Sequence, residues 1–330
     1  MLIDHLAIVG LGSIGRRHLR LAREFRPKLK ITGVRSGKKK VIPKEDLVDE
    51  VVYSIQDALA RGVQAAVVAT PAVKHLEQVT ELLRAGVHVL VEKPLSCSMV
   101  GVSQFMRISK ETRLVGLIGY CLHYDPAAKR FNQMLKRDKI GQILHVRVEC
   151  GSYLPDWRPD QDFRQSVSAQ KELGGGVLLE LSHELDYIRW FFGQIESVTA
   201  LLQNSGTLGV DVEESVDLIL KTVGGLLVSV HLDFNSCFDR RKCVVRCSEG
   251  DLTWDAIKKT VSWRSVEGQK KTESFPNDRD EAYRMQLRHF FDCMEYNQEP
   301  TVSLEDGAEV MRIVEAARKS GANGKTVVLA

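Results

Sequence analysis

Along the first third of the chain, short apolar runs alternate with stretches of helical spacing. Residues 5–9, 30–34, 64–69, 87–91 and 113–120 are apolar runs of strand length. Two of them, 64–69 and 87–91, are continuously apolar, as strands buried on both faces of a sheet are. Helical spacing covers 16–25, where Leu19 and Leu21 are apolar and Arg17, Arg20 and Arg23 polar, and again 76–85. This alternation predicts parallel strands joined by right-handed crossovers, hence a doubly wound sheet.

After about residue 120 the pattern changes. A helical segment, 126–136, is followed by strand-like runs at 143–150, 195–203, 214–222, 226–235, 242–248 and 261–264. Several are joined by short turns such as Gly224-Gly225. Strands without intervening helices predict a mainly antiparallel sheet, with one face on a core and the other open to a partner. Amphipathic helices are expected at 281–296 and 305–320. The chain therefore reads as two α/β domains, 1–120 and 121–330, with a late helix packing back on the first.

Composition narrows the class. A length of 330 residues fits about two domains. The 44% hydrophobic content excludes a disordered chain. A net charge of +3 is too small to argue for nucleic acid. The seven cysteines are scattered and none has zinc-site spacing, so no metal site is expected. They read as free thiols of a reducing cytoplasm. The N-terminus lacks a basic leader, and no apolar run approaches ~18 residues, so neither secretion nor a membrane span is expected.

Gly10-Leu11-Gly12-Ser13-Ile14-Gly15 follows an expected strand and opens an expected helix. In that context G-x-G-x-x-G is a dinucleotide-binding turn. Gly10 permits the tight turn, Gly12 lets a pyrophosphate approach, and Gly15 allows the helix to lie close on the strand. Ser13 and Ile14 begin the helix whose free N–H groups face the phosphates. The next strand ends Gly33-Val34-Arg35-Ser36-Gly37-Lys38-Lys39-Lys40. The acid that would hold the ribose 2′-hydroxyl of NAD is missing there. Arg35 is placed to stack on adenine and pair with a 2′-phosphate, and Ser36 to donate to it. This pattern favours NADP(H) and leaves NAD(H) open, a solvated basic loop being the plainer reading.

Four further stretches follow in order: Ala69-Thr70-Pro71 with His75 beyond it, Val91-Glu92-Lys93-Pro94, Gly119-Tyr120-Cys121-Leu122-His123-Tyr124-Asp125-Pro126, and a Gly-rich run from Gly174 through Glu180 to His183 and Asp186. With the glycine turn, this series resembles the glucose–fructose oxidoreductase/inositol dehydrogenase/MocA family over nearly the whole chain. The Glu-Lys-Pro and the Gly-rich run with its His and Asp are the specific parts. The resemblance implies a Rossmann domain and a C-terminal α/β domain with a large open sheet. It implies NAD(P)-dependent oxidation or reduction of a sugar, cyclitol or sugar nucleotide. It also implies homodimers or homotetramers formed through the open sheet face. Lys93 would contact the reacting substrate and His183 would be the acid/base. Two departures stand out. The family's Asp lies four residues before its His, whereas Glu180 lies three before His183, and Cys121 replaces a common Asn.

The chemistry needs such groups. Moving a hydride from a C–H bond requires removal of the hydroxyl proton, a task matched to a neutral His near pH 7. A cation beside the developing alkoxide, here Lys93, stabilises its charge. Glu92 is expected to pair with the cofactor or to orient Lys93, and the bond to Pro94 is a candidate cis bond. Thr70 and Pro71 shape the cofactor loop. His75 lines the nicotinamide cleft or packs in the core. Tyr120, Glu180 and Asp186 are candidate substrate contacts, with a hydrogen bond to the first helical turn or to a ring nitrogen as the alternative for Asp186.

Ser152-Tyr153-Leu154-Pro155-Asp156-Trp157-Arg158-Pro159 is polar and aromatic. Trp157 is suited to a sugar face and Arg158 to a carboxylate or phosphate. A similar Tyr-x-Pro-x-Trp-Arg stretch occurs in family members linked to surface-polysaccharide sugars, which points to an acidic or nucleotide-linked sugar. A structural loop filled by Trp157 is the even alternative. Two other functions compete: a glycosidase that keeps its nicotinamide bound, and a cofactor-bound sensor without turnover.

Overall fold

The computed structural model describes residues 2–35, 47–136 and 140–329. By its contacts the chain divides into two compact units, Met1–Cys121 with Asp280–Ala308, and Leu122–Arg279 with Glu309–Ala330.

The first unit begins with β1 (His5–Val9), α1 (Ser13–Phe25) and β2 (Lys30–Val34). It continues with β3 (Glu50–Val52), α2 (Ile55–Leu59), β4 (Ala65–Val68), α3 (His75–Arg84), β5 (His88–Val91), α4 (Val102–Thr112) and β6 (Gly116–Ile118). The strands form one six-stranded sheet, order β3-β2-β1-β4-β5-β6, with every neighbouring pair parallel. This is the expected doubly wound sheet, and the order reverses between β1 and β4. The strand expected at 113–120 is confined to Gly116–Ile118. Arg113 adopts a left-handed conformation that ends α4, and the chain after Ile118 turns into a 3₁₀ segment at Cys121–Tyr124.

The second unit contains α5 (Pro126–Leu135), β7 (Ile143–Gly151), α6 (Val177–Glu180), α7 (His183–Phe192), β8 (Ile195–Gln203), β9 (Ser215–Thr222) and β10 (Leu227–Asp233). Next come β11 (Arg240–Cys247), β12 (Gly250–Asp255), β13 (Thr260–Ser265) and β14 (Lys270–Ser274). The chain then forms α8 (Glu281–Tyr296), which belongs to the first unit, α9 (Leu304–Asn323) and β15 (Val327–Val328). The nine-stranded sheet has the order β14-β13-β12-β11-β7-β10-β9-β8-β15. Only β7 and β10 run parallel as neighbours; the other pairs are antiparallel.

Each unit has its own core. In the first, Leu6, Ile8, Leu19, Ile31 and Val67 pack with Leu287, Phe290 and Phe291 of α8. Burial of each such side chain contributes on the order of 1.5–3 kcal/mol. Arg26 fixes the end of α8 by a fork of two 2.6 Å hydrogen bonds to Glu295, and this pairing holds the Glu295 carboxyl below its ordinary range. In the second, Val216, Leu218 and Leu220 of β9 point inward while Asp217, Ile219 and Lys221 point out. Helix α5 packs on β12 and β13, and α6 on β9 and β10. Tyr187 and Trp254 meet edge to face at 5.1 Å within this core.

The outer sheet face is mixed. Leu201 and Ile219 stand 72% and 47% exposed, around a shallow depression of about 420 Å³ that Thr199, Asp217, Ser229 and His231 also line. His231 Nε2 lies 3.4 Å from Asp233 Oδ2 and its Nδ1 2.8 Å from Asp217 Oδ1. Asp233 first, then Asp217, raise the His231 pKa to about 9. Among the described residues, no helix is long and apolar enough to cross a membrane, and no cluster of three or more His, Cys, Asp or Glu is placed to hold a metal. Among the described residues, none of the seven cysteines is joined in a disulfide.

Because the folded pKa of His231 lies above the ordinary 6.5, its stabilisation is complete below that value and is lost as pH rises through about 9. Urea unfolding of this unit is therefore expected to show stability falling with pH across that window, and His231→Gln to flatten the slope. An equal slope in the variant would mean that the two aspartates do not hold the imidazolium.

Candidate active site

The first unit presents a glycine turn, two loops and one arginine. Gly10 has φ +94°, and a Cβ on it would meet the Ala69 carbonyl oxygen at 2.7 Å. A Cβ on Gly15 would lie 1.8 Å from the Gly10 carbonyl oxygen. Both positions need glycine because the turn after β1 is pressed between α1 and the end of β4. At Gly12 a Cβ would meet nothing within 4 Å. Gly12 caps α1 without a side-chain hydrogen bond, and the first turn carries no acid. The exposed Ser13 and half-buried Ile14 open that turn. Free N–H groups beside open space are what a pyrophosphate needs. These residues fit a dinucleotide.

Arg35 ends β2 and is half-buried. Its N–H donates to the Val52 carbonyl at 3.0 Å, and its Nη1 is buried with no hydrogen-bond partner among the described residues. Ser36 lies outside the described residues. Thr70 follows β4, and its hydroxyl donates to Gln78 Oε1 at 2.6 Å. Pro71 is half-buried beside it. His75 is buried, with Nδ1 2.8 Å from the Pro94 carbonyl oxygen and Nε2 2.8 Å from that of Thr70. Burial lowers its pKa, against the pull of the two carbonyls.

Glu92 ends β5, and Lys93 follows, half-buried, in a cis peptide with Pro94. The Glu92 carboxylate turns inward, Oε1 lying 2.6 Å from His18 Nε2 and Oε2 accepting the Lys93 N–H at 3.3 Å. Tyr120 is fully buried beyond β6.

The second unit holds the Gly-rich run. Gly174 and Gly176 have φ +86° and +105°, and a Cβ on Gly175 would meet the carbonyl oxygens of Val167 and Ser168 at 2.6 Å. The N–H groups that begin α6 donate to Glu213: Val177 to its carbonyl and Leu178 to its Oε1, each at 3.2 Å. Burial raises the Glu213 pKa. Glu180 ends α6 and His183 begins α7, so the shortened spacing becomes a two-residue break between helices. His183 and Asp186 share one face of α7 at i, i+3 spacing. Asp186 Oδ2 lies 2.9 Å from His123 Nε2, and His123 stacks on Trp190 at 4.2 Å. Glu184 is fully buried against Arg241, Nε to Oε1 2.7 Å. Trp157 donates to Ser152 Oγ at 2.6 Å and meets Phe234 edge-on. Arg158 is exposed.

Four partners of these residues escaped the sequence reading: His18, His123, Arg241 and Glu213. Two carried a signal: His18 lies three residues past Gly15 on the helix face toward the strand, and His123 lies inside the stretch 119–126. His123, Arg241 and Glu213 meet their partners across 63, 57 and 35 positions of chain.

Comparison with known proteins agrees with this fold. Residues 5–120 match the family profile described as oxidoreductase family, NAD-binding Rossmann fold. Residues 128–253 match the GFO/IDH/MocA C-terminal domain. The 1,5-anhydro-D-fructose reductase of Ensifer adhaerens is 25% identical over 85% of this chain and 84% of its own. Levoglucosan dehydrogenase in complex with NADH superposes with a TM-score of 0.87 at 19% identity, covering 99% of each chain. The WlbA dehydrogenase from Bordetella pertussis, in complex with NADH and UDP-GlcNAcA, superposes with a TM-score of 0.84 at 18% identity, covering 100% of this chain and 99% of its own.

Gly15 and Gly12 separate packing from binding. Gly15→Ala is expected to lower the melting temperature and abolish NADH binding together. Gly12→Ala should melt like the wild type yet weaken NADH binding, as followed by fluorescence titration. Wild-type affinity in Gly12→Ala would place the pyrophosphate elsewhere.

Proposed function

This chain belongs to the glucose–fructose oxidoreductase/inositol dehydrogenase/MocA family of NAD-binding oxidoreductases, and we propose that it acts on a hydroxyl or keto carbon of a sugar, cyclitol or sugar nucleotide. The observation that carries the reading is the glycine turn, open at Gly12 above an uncapped helix start. The names of the relatives, a reductase of an anhydro-sugar and dehydrogenases of related fold, support the substrate class. NADP(H) is the favoured cofactor, supported by the missing acid after β2 and the buried Nη1 of Arg35, which has no partner among the described residues. An acidic or nucleotide-linked sugar is supported by Trp157 with the exposed Arg158 in one polar segment. The UDP-GlcNAcA in complex with the WlbA dehydrogenase points the same way. Homo-oligomers through the outer face of the nine-stranded sheet are supported by exposed Leu201 and Ile219. Cysteines outside any disulfide among the described residues favour a cytoplasmic location.

Bound nicotinamide supplies the hydride chemistry. His183 takes the hydroxyl proton on oxidation and returns it on reduction. Lys93 places an ammonium where negative charge develops on the oxygen. Asp186, on the same face of α7, and Glu180, at the end of α6, are assigned to the sugar hydroxyls, and Tyr120, after β6, is assigned as a further substrate residue.

Paired titrations with NADPH and NADH test the cofactor. Arg35→Ala is expected to weaken NADPH more than NADH; equal losses would reduce Arg35 to adenine stacking. With a sugar found by panel screening, His183→Ala should keep NAD(P)H affinity and lose ~10²–10⁴-fold in turnover. Near-wild-type turnover would remove His183 from the mechanism.

A further inference from the structure

Two buried imidazoles flank the turn that carries Lys93, and the proton chemistry uses neither. His18 lies on α1, fully buried. Its Nε2 is 2.6 Å from Glu92 Oε1. Glu92 is 6% exposed, and its other oxygen accepts the Lys93 N–H at 3.3 Å. Gly119 closes over that oxygen, where a Cβ would stand at 2.9 Å. The Tyr283 ring of α8 packs edge-on against His18 at 5.8 Å. The Glu92 carboxylate is therefore committed within the protein, one oxygen to α1 and the other to the backbone of Lys93.

On the far side of the turn, His75 of α3 lies between the carbonyl oxygens of Pro94 and Thr70, 2.8 Å from each. A neutral imidazole carries one N–H, so the tautomer decides which carbonyl receives it. Either way the ring fills the space between the loops after β4 and β5. The residues on both sides of Lys93 are thus tied down, Glu92 through its side chain and Pro94 through its carbonyl. A lysine stem has four rotatable carbons, so an ammonium held to a fraction of an ångström needs a fixed backbone beneath it.

We propose that His18, acting through Glu92, and His75, acting through Pro94, are positioning residues that fix the Lys93 backbone and with it the place and reactivity of the ammonium. The proposal rests on the reading of Lys93 as the cation of the active site. It assigns Glu92 to the protein's own scaffold instead of the cofactor.

The test needs no sugar. The full-length protein is labelled with limiting acetic anhydride across a pH series, and the labelling of each lysine is measured by peptide mass spectrometry. In His18→Leu, Lys93 should label faster by about twofold or more, the low end of coupling within one hydrogen-bond network. The exposed Lys110 and Lys258 should be unchanged as internal controls. His18→Gln, which keeps an N–H toward Glu92, should restore the wild-type rate. His75→Leu should raise the Lys93 rate in the same way. Where His18→Leu does not fold by circular dichroism, Glu92→Gln carries the same comparison, since it keeps the shape and loses the charge. Lys93 labelling equal to wild type in folded His18→Leu or Glu92→Gln overturns the proposal. The reading beneath it is tested apart, by turnover of Lys93→Met on the sugar panel. Normal turnover there removes Lys93 from the reaction and leaves the labelling result standing.

Discussion

The first unit depends on one close approach. With no side chain at Gly15, helix α1 lies so near the end of β1 that a Cβ would stand 1.8 Å from the Gly10 carbonyl oxygen. That approach aims the free N–H groups of the helix start past Gly12 into open space. It also brings His18, one turn further on, against the inward-facing Glu92. The helix that shapes the dinucleotide turn is therefore the helix that holds the turn bearing Lys93. Two motifs far apart in the chain, the glycines and the Glu-Lys-Pro, are joined by one hydrogen bond, His18 to Glu92.

The second unit depends on buried polar pairs instead of close backbones. Glu184 against Arg241 and Asp186 against His123 anchor the first turn of α7. A buried charge left without its partner is costly, so such pairs select one orientation of the helix more than they add stability. Glu213 does the same for α6, receiving the first two N–H groups of a helix too short to stand by itself. The break between α6 and α7 absorbs the shortened spacing between Glu180 and His183, and each residue sits on its own helix.

Legibility followed the strength of the local pattern. The strands His5–Val9 and Ile195–Gln203 and the helix Glu281–Tyr296 form where periodicity places them, because an apolar stripe or alternating face has one good burial solution. Strand β14 gave no such signal: Lys270–Ser274 is polar throughout and sits at a sheet edge, where charge guards against further pairing. Strand β3 has three residues, fewer than any period can register. The role of Glu92 stayed open between cofactor and lysine, because direction within a buried site is a matter of neighbours. The inward turn of its carboxylate toward His18 is a finding of the fold.

The residues alone determined the doubly wound architecture and the dinucleotide turn, since glycine spacing and apolar period are local properties that each element obeys on its own; the family followed from the resemblance carried by the Glu-Lys-Pro and the Gly-rich run with its His and Asp. Tertiary structure decided which polar groups meet. His18 with Glu92, Asp186 with His123 and Glu184 with Arg241 lie 74, 63 and 57 positions apart. No local propensity links such positions. Hydrogen bonds of that kind form only once hydrophobic packing has brought the elements together and made an unpaired polar group too costly to leave.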